Sequence, residues 1–225
     1  MIPEAVYPAI ILSLQIAVVA TACALPLAIW IATLLARPQF WGRNLLNAVV
    51  HLPLVLPPVV TGYLLLVGFG RQGPIGAWLY DWFGITLAFR WTGAALAAGI
   101  MGFPLMVRAI RLAIEAVDPK LAEAAAMLGA SRLRIFVTVT VPLTIPGIIA
   151  GAVLGFAKAL GEFGATITFV AAIPGQTQTI PTAIYALLQV PGQEGAVVGL
   201  VIISVTLAIG ALIVSEWLTR RAVRR

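Results

Sequence analysis

The chain has 225 residues, 61% of them hydrophobic and only 10% charged, where a soluble domain carries about 25% charged residues; with a mean hydropathy of +1.06, this excludes an ordinary soluble enzyme and predicts an integral membrane protein. The net charge of +6 forms no long basic face for nucleic acid, because the bases sit in short gaps between apolar runs, the footprint of membrane topology. A single cysteine, Cys23, excludes a disulfide framework, and a single histidine, His51, argues against a metal centre.

The opening MIPEAVYPAI lacks the basic region and the cleavage site of a signal peptide, so the first apolar run is read as a retained span. A helix needs about 20 residues to cross a ~30 Å hydrocarbon core. Run one, 9–36, exceeds that and is expected to tilt or bend near Pro26. Arg37 and Arg43 fill gap one. Run two is 45–69; His51, in its opening turns beside Pro53, reads as an interfacial helix-end residue. Arg71 and Arg90 fill gap two, and run three is 91–113.

Gap three is different. Asp118 can cap free N–H groups, and Pro119 fits the first helical position. Leu121, Ala124, Ala125 and Leu128 then recur at i, i+3, i+4 and i+7, one narrow apolar face. Gly129 is a natural stop, and Ser131 can cap a second short helix. The pattern suits a helix lying on lipid and equally one docked in a protein groove.

Run four is 142–163. Its Gly147, Gly151 and Gly155 form overlapping G-x-x-x-G units, favouring close packing within one subunit over packing at a twofold axis. Lys158 and Glu162 stand at i, i+4 near its end, where a local ion pair is the plain reading. Segment 164–192 is broken by Pro174, Gly175, Pro181 and Pro191. It is read as short helices that stay extracytoplasmic or dip re-entrantly into protein, where broken backbone can be satisfied. Run five is 195–218, followed by Arg220, Arg221, Arg224 and Arg225.

All of the 14 lysines and arginines except Arg71, Arg90 and Lys158 fall to gap one, gap three with its flanks (Arg108, Arg111, Lys120, Arg132, Arg134) and the tail. Placing those in the cytosol puts the N-terminus out and the C-terminus in, with five spans. The fold class is all-α: a polytopic membrane bundle forming one domain, 1–225, with a cytosolic helix within 118–134.

The stretch EAAAMLGASRLRIFVTVTVP resembles the EAA loop of ABC importer membrane subunits, through Glu123, Ala124, Ala125, Gly129, Val139, Val141 and Pro142. Valine stands where the pattern commonly has isoleucine and leucine. HLPLVLPPVVTGYLLL, FPLMVRAIRLAIE, LGEFGATITFV and QTIPTAIY extend the likeness to molybdate permeases of the ModB type; the Gly-Glu-Phe-Gly-Ala stretch is also similar to sulfate permeases. The resemblance implies a type I importer permease in a bacterial inner membrane. It implies a second permease copy, two cytosolic ATPases and an extracytoplasmic molybdate-binding protein. The ATPases, which use ATP and Mg, would dock through Glu123, Ala124, Ala125, Leu128 and Gly129.

The chain has no Walker A pattern, so it holds no phosphate loop of its own. No catalytic site and no bound cofactor are expected. Carboxylates or histidines at a span centre would point to a gradient-driven carrier, and none is predicted there. Tyr63, Thr166 and Thr168 are candidate passage residues, because neutral hydroxyl donors can relay an oxyanion without trapping it. Sulfate, thiosulfate and tungstate are the alternative cargoes.

Overall fold

The computed structural model describes residues 7–37 and 40–223. Arg224, Arg225 and the first six residues of the opening stretch lie outside the described residues. The described residues form helices and turns, with no strand among them. In order these are α1 (Tyr7–Ala36), α2 (Arg43–Val55), α3 (Pro58–Phe69), α4 (Pro74–Phe83), α5 (Trp91–Glu115), α6 (Pro119–Met127) and α7 (Arg132–Ile135). A π-helical turn (Phe136–Thr140) leads into α8 (Val141–Leu160), and α9 (Gly164–Val170), α10 (Ile180–Leu188) and α11 (Glu194–Val223) follow. Four continuous stretches among the described residues are long and apolar enough to cross a bilayer: Tyr7–Ala36, Trp91–Glu115, Arg132–Leu160 and Glu194–Val214.

Two runs are built differently from expectation. Run two is no single rod, since α2 and α3 meet at 113° and reach the length and hydropathy of a span only when taken together. Leu56 is extended (ψ 142°) because the proline after it disfavours the helical region. Pro58 then opens α3, where a missing N–H costs nothing. Run four starts at Arg132 rather than Pro142 and stops at Leu160. Pro142 has no N–H for the Thr138 carbonyl, and a π-turn absorbs the defect, with the Val141 N–H reaching Phe136 O. α1 runs through Pro26 without a break.

α5 is the axis of the bundle. It lies parallel to α1, since Ile16 to Ala20 pack beside Ala94 to Met101, and Ala28 to Leu35 beside Met106 to Ile110. It lies antiparallel to α8: Gly155 meets Gly102 and Met106, Gly151 meets Ile110, and Gly147 meets Ala113. A Cβ on Gly102 would stand 3.1 Å from Gly155 O. The G-x-x-x-G face is therefore spent inside one subunit. In lipid the hydrophobic effect does not drive helices together, and small residues that admit close approach take its place.

The bundle has two distinct ends. At one, Arg43 Nε and Nη2 donate to Leu35 O at 3.1 and 2.9 Å and close the end of α1. Arg111 Nε donates to Glu115 Oε1 at 2.8 Å and its Nη1 to Asn47 Oδ1 at 3.3 Å. Gaps one and three thus share this end, called here the Arg43 end. The Trp91 end holds the connection into α5 and the α9–α10 loop, whose residues line one cavity. There the Ile180 N–H donates to Ser13 Oγ at 2.8 Å and ties α10 to α1.

Candidate functional site

The segment after α5 is a helix held by its own ends. Asp118 Oδ1 accepts the Lys120 N–H at 2.9 Å, and Pro119 occupies the first turn. At the other end the Gly129 N–H reaches Ala126 O at 2.9 Å and the Ala130 N–H reaches Ala125 O at 3.1 Å, the paired bonds of a Schellman stop. Gly129 has φ +81°, a conformation that costs a residue with a Cβ about 1–2 kcal/mol. The Arg134 N–H then donates to Ser131 Oγ at 3.3 Å, and the chain turns into α7.

Nothing in α6 is buried. Ala125 is half-buried, whereas Glu123, Ala124 and Leu121 are exposed and Met127 and Leu128 are 89% and 90% exposed. α6 packs on α7 and the π-turn. The apolar strip of this short, capped helix at the Arg43 end is left largely uncovered by the described residues.

The second candidate region lies where two broken helices cross. α3 restarts at Pro58 after the 113° bend, and α9 restarts at Gly164 after α8 stops at Leu160. These restarts touch. A Cβ on Gly164 would lie 2.7 Å from Pro58 Cβ, and one on Gly62 would lie 2.5 Å from Ala165 O and 2.9 Å from Thr168 Cβ. Of the candidate passage residues, Thr166 is buried and donates to Phe163 O at 2.9 Å. Thr168 is half-buried and donates to Gly164 O at 2.8 Å. Tyr63 is exposed on α3 beside Gly62. The structure brings Thr168 to the α3–α9 contact, and both threonine hydroxyls rest on backbone carbonyls.

Sequence reasoning missed how deeply Glu162 is set in this region. Its carboxylate takes the Lys158 ammonium on one oxygen and the Ala165 N–H at 3.0 Å on the other. The available signal was an acid between two glycines after a long apolar run. Two of the cavities among the described residues bear on a passage. One of about 620 Å³ runs between α1, α2 and α5 and is lined mostly by apolar residues such as Leu27, Val49 and Phe103, with Thr92 and no charged side chain among those that line it. The other, about 570 Å³ at the Trp91 end, is lined by Thr86, Arg90, Thr92, Gln176 and Thr177.

Over residues 24–224 the sequence matches the family described as "Binding-protein-dependent transport system inner membrane component". The chain belongs to this family of permeases. Among its relatives, the molybdenum transport system permease protein ModB of Escherichia coli is 61% identical across 95% of this chain and 93% of that protein. The ModB of Haemophilus influenzae is 55% identical over the same shares. Solved structures agree on the fold. A permease chain from a bacterial ABC transporter involved in alginate import matches with a TM-score of 0.76 at 20% identity, covering 97% of this chain and 80% of that one. One from the MetNI methionine ABC transporter, in an inward-facing conformation, matches at 0.75 and 14% identity, covering 95% and 94%. The fold is that of a type I importer permease, and the protein is a multi-pass membrane protein.

Proposed function

We propose that this permease is the membrane-spanning subunit of an ATP-driven, binding-protein-dependent importer of molybdate. The observation that carries the reading is the 61% identity to a molybdenum permease along nearly the whole chain. The Arg43 end faces the cytosol, the N-terminus lies outside and the C-terminus inside, in a bacterial inner membrane. Two copies form the pore. Two ATPases, which consume ATP and Mg, seat α6 through Glu123, Ala124, Ala125, Leu128 and Gly129. Segment 164–192 faces the extracytoplasmic side, where a binding protein delivers the anion to the polar cavity around Arg90. The passage then runs past Tyr63, Thr166 and Thr168.

The physics of the cycle is a population shift. ATP has higher affinity for closed ATPases, and that difference is the free energy available to move the two bundles. α6 receives it as a rigid body because both its ends are capped. Sulfate is a second reading with one observation behind it. A probable sulfate permease of Chlorokybus atmophyticus is 36% identical across 79% of this chain and 62% of that protein. Uptake of labelled molybdate by cells that carry the full transporter, with tungstate, sulfate and thiosulfate as competitors, tests the reading. Vanadate-sensitive molybdate uptake, resistant to excess sulfate, is expected. Uptake that survives loss of the ATPase would replace it with a gradient-driven carrier.

A further inference from the structure

The Lys158–Glu162 pair sits at a place where an ion pair needs a reason. From Gly102 to Trp91 is about 16 Å along α5, and from Gly155 to Leu160 about 7 Å along α8. Since Gly155 lies against Gly102, α8 ends about 9 Å short of the level of Trp91. The break at 161–163 therefore falls short of the level of Trp91, and Gly164, which follows it, stands against Pro58 at the restart of α3. Irregular backbone at membrane depth is tolerated where protein buries it or where it lines a cavity.

The pair is lopsided. The Glu162 side chain is 1% exposed and that of Lys158 is 29% exposed. Glu162 is doubly held, by Lys158 and by the Ala165 N–H of α9. Lys158 has three donors, and among the described residues Glu162 is the one partner it shows. The ammonium is thus the accessible half of the pair and the carboxylate its buried half.

We propose that Lys158 is the cation the oxyanion meets at the junction of the broken spans, and that Glu162 is its resting counter-ion, exchanged for the anion during passage. This rests on the permease reading above. At rest the pair is neutral, so no fixed charge holds a dianion. When the anion takes the ammonium, Glu162 keeps the Ala165 N–H and is not left bare, which would otherwise be strongly destabilising. Its negative charge also keeps the anion's stay short, as conduction requires.

The test is molybdate uptake per assembled complex, in proteoliposomes holding the full transporter with its ATPase and binding protein. Lys158→Arg keeps the charge and is expected to stay within about twofold of wild type. Lys158→Gln/Glu162→Gln keeps hydrogen-bonding groups without charge; it is expected to assemble normally and lose at least about tenfold in turnover. Normal turnover in that double variant, or failure of Lys158→Arg, overturns the proposal. Should the double variant not assemble, Lys158→Cys in a Cys23→Ser background decides. Reaction with an aminoethyl thiosulfonate restores an ammonium and is expected to restore uptake, whereas a methyl reagent is not; no recovery, or equal recovery, overturns the proposal. If the wild type takes up sulfate and not molybdate, the cargo assignment fails, while the same ratios measured with sulfate still read the role of Lys158.

Discussion

A glycine lies beyond each end of the helix from Arg132 to Leu160, Gly129 as the stop of α6 and Gly164 as the first residue of α9, and the two are needed for opposite reasons. Gly129 has φ +81° and nothing within 4 Å of where a Cβ would stand. Gly164 needs no special φ, but a Cβ there would press on Pro58. The first glycine supplies conformation on an open surface, and the second supplies room at a crowded crossing. α6 is left bare and held by its own caps, as the proposed docking to a partner requires. The α3–α9 crossing is packed until only glycine fits at Gly62 and Gly164. One continuous helical stretch, Arg132–Leu160, joins the two regions, so under the proposed function it is the element through which motion applied at α6 would reach the α3–α9 crossing.

The largest expected effects are at the bare end. Glu123→Lys and Gly129→Asp are each expected to cut uptake by about a hundredfold, as loss of a buried charged hot spot in a docking surface does, while the amount of inserted permease is unchanged. Immunoblots of washed membranes beside uptake assays check this. Normal transport by both variants would leave α6 a lipid-surface helix and break the comparison.

At the crowded end the damage falls on stability. Gly62→Ala and Gly164→Ala each push a methyl into backbone or a proline ring, which overpacking data put at about 1–3 kcal/mol. Gly129→Ala meets no atom and costs only the strain of its positive φ, about 1–2 kcal/mol, confined to one turn. Detergent-extracted complexes carrying either of the first two substitutions are expected to lose monodispersity at lower temperature than Gly129→Ala. Equal midpoints for all three would mean the crossing is looser than the structure has it.

The paired change Thr166→Val/Thr168→Val probes the passage more gently. The hydroxyls rest on the Phe163 and Gly164 carbonyls, and each must turn to meet an anion. Each lost hydrogen bond is worth about 1 kcal/mol, so uptake is expected to fall several-fold with assembly intact. Unchanged rate and apparent affinity would remove these two residues from the passage.

What the sequence made legible divides along the same line. The α6 unit is local: Asp118, Pro119, Gly129 and Ser131 mark its boundaries through neighbours two or three residues away, and the structure shows those bonds. The spans of α1, α5 and α11 follow from hydropathy alone. The fracture of run two and the burial of Glu162 are not local. Pro53, Pro57 and Pro58 announce a disturbance, but a proline-bearing helix can stay whole, as α1 does at Pro26 and α5 at Pro104. Glu162 reads as a surface-type ion pair until its burial and the Ala165 N–H of α9 upon it are seen. The glycines of run four show the same limit: the spacing announces close contact, and only the fold says that α5 is the partner.

The smallest effect expected is at Asp118, and it asks what holds α6 still. Asp118→Ala removes the acceptor of the Lys120 N–H, a change worth about 1 kcal/mol. α6 has nine residues, well below the length at which a helix is stable alone in water. Its start should therefore fray when nothing else supports it, while the Schellman stop at Gly129 stays intact. In the isolated permease, faster amide hydrogen exchange across 119–122 is expected, and Asp118→Asn, which keeps an acceptor oxygen, should restore slow exchange. In the assembled transporter the difference should shrink, because a groove that binds the helix stabilises it by mass action, and uptake should fall by no more than about twofold to threefold. Fraying that persists in full within the complex would mean that no partner grips α6. The bare end of the lever would then be bare in the working machine as well.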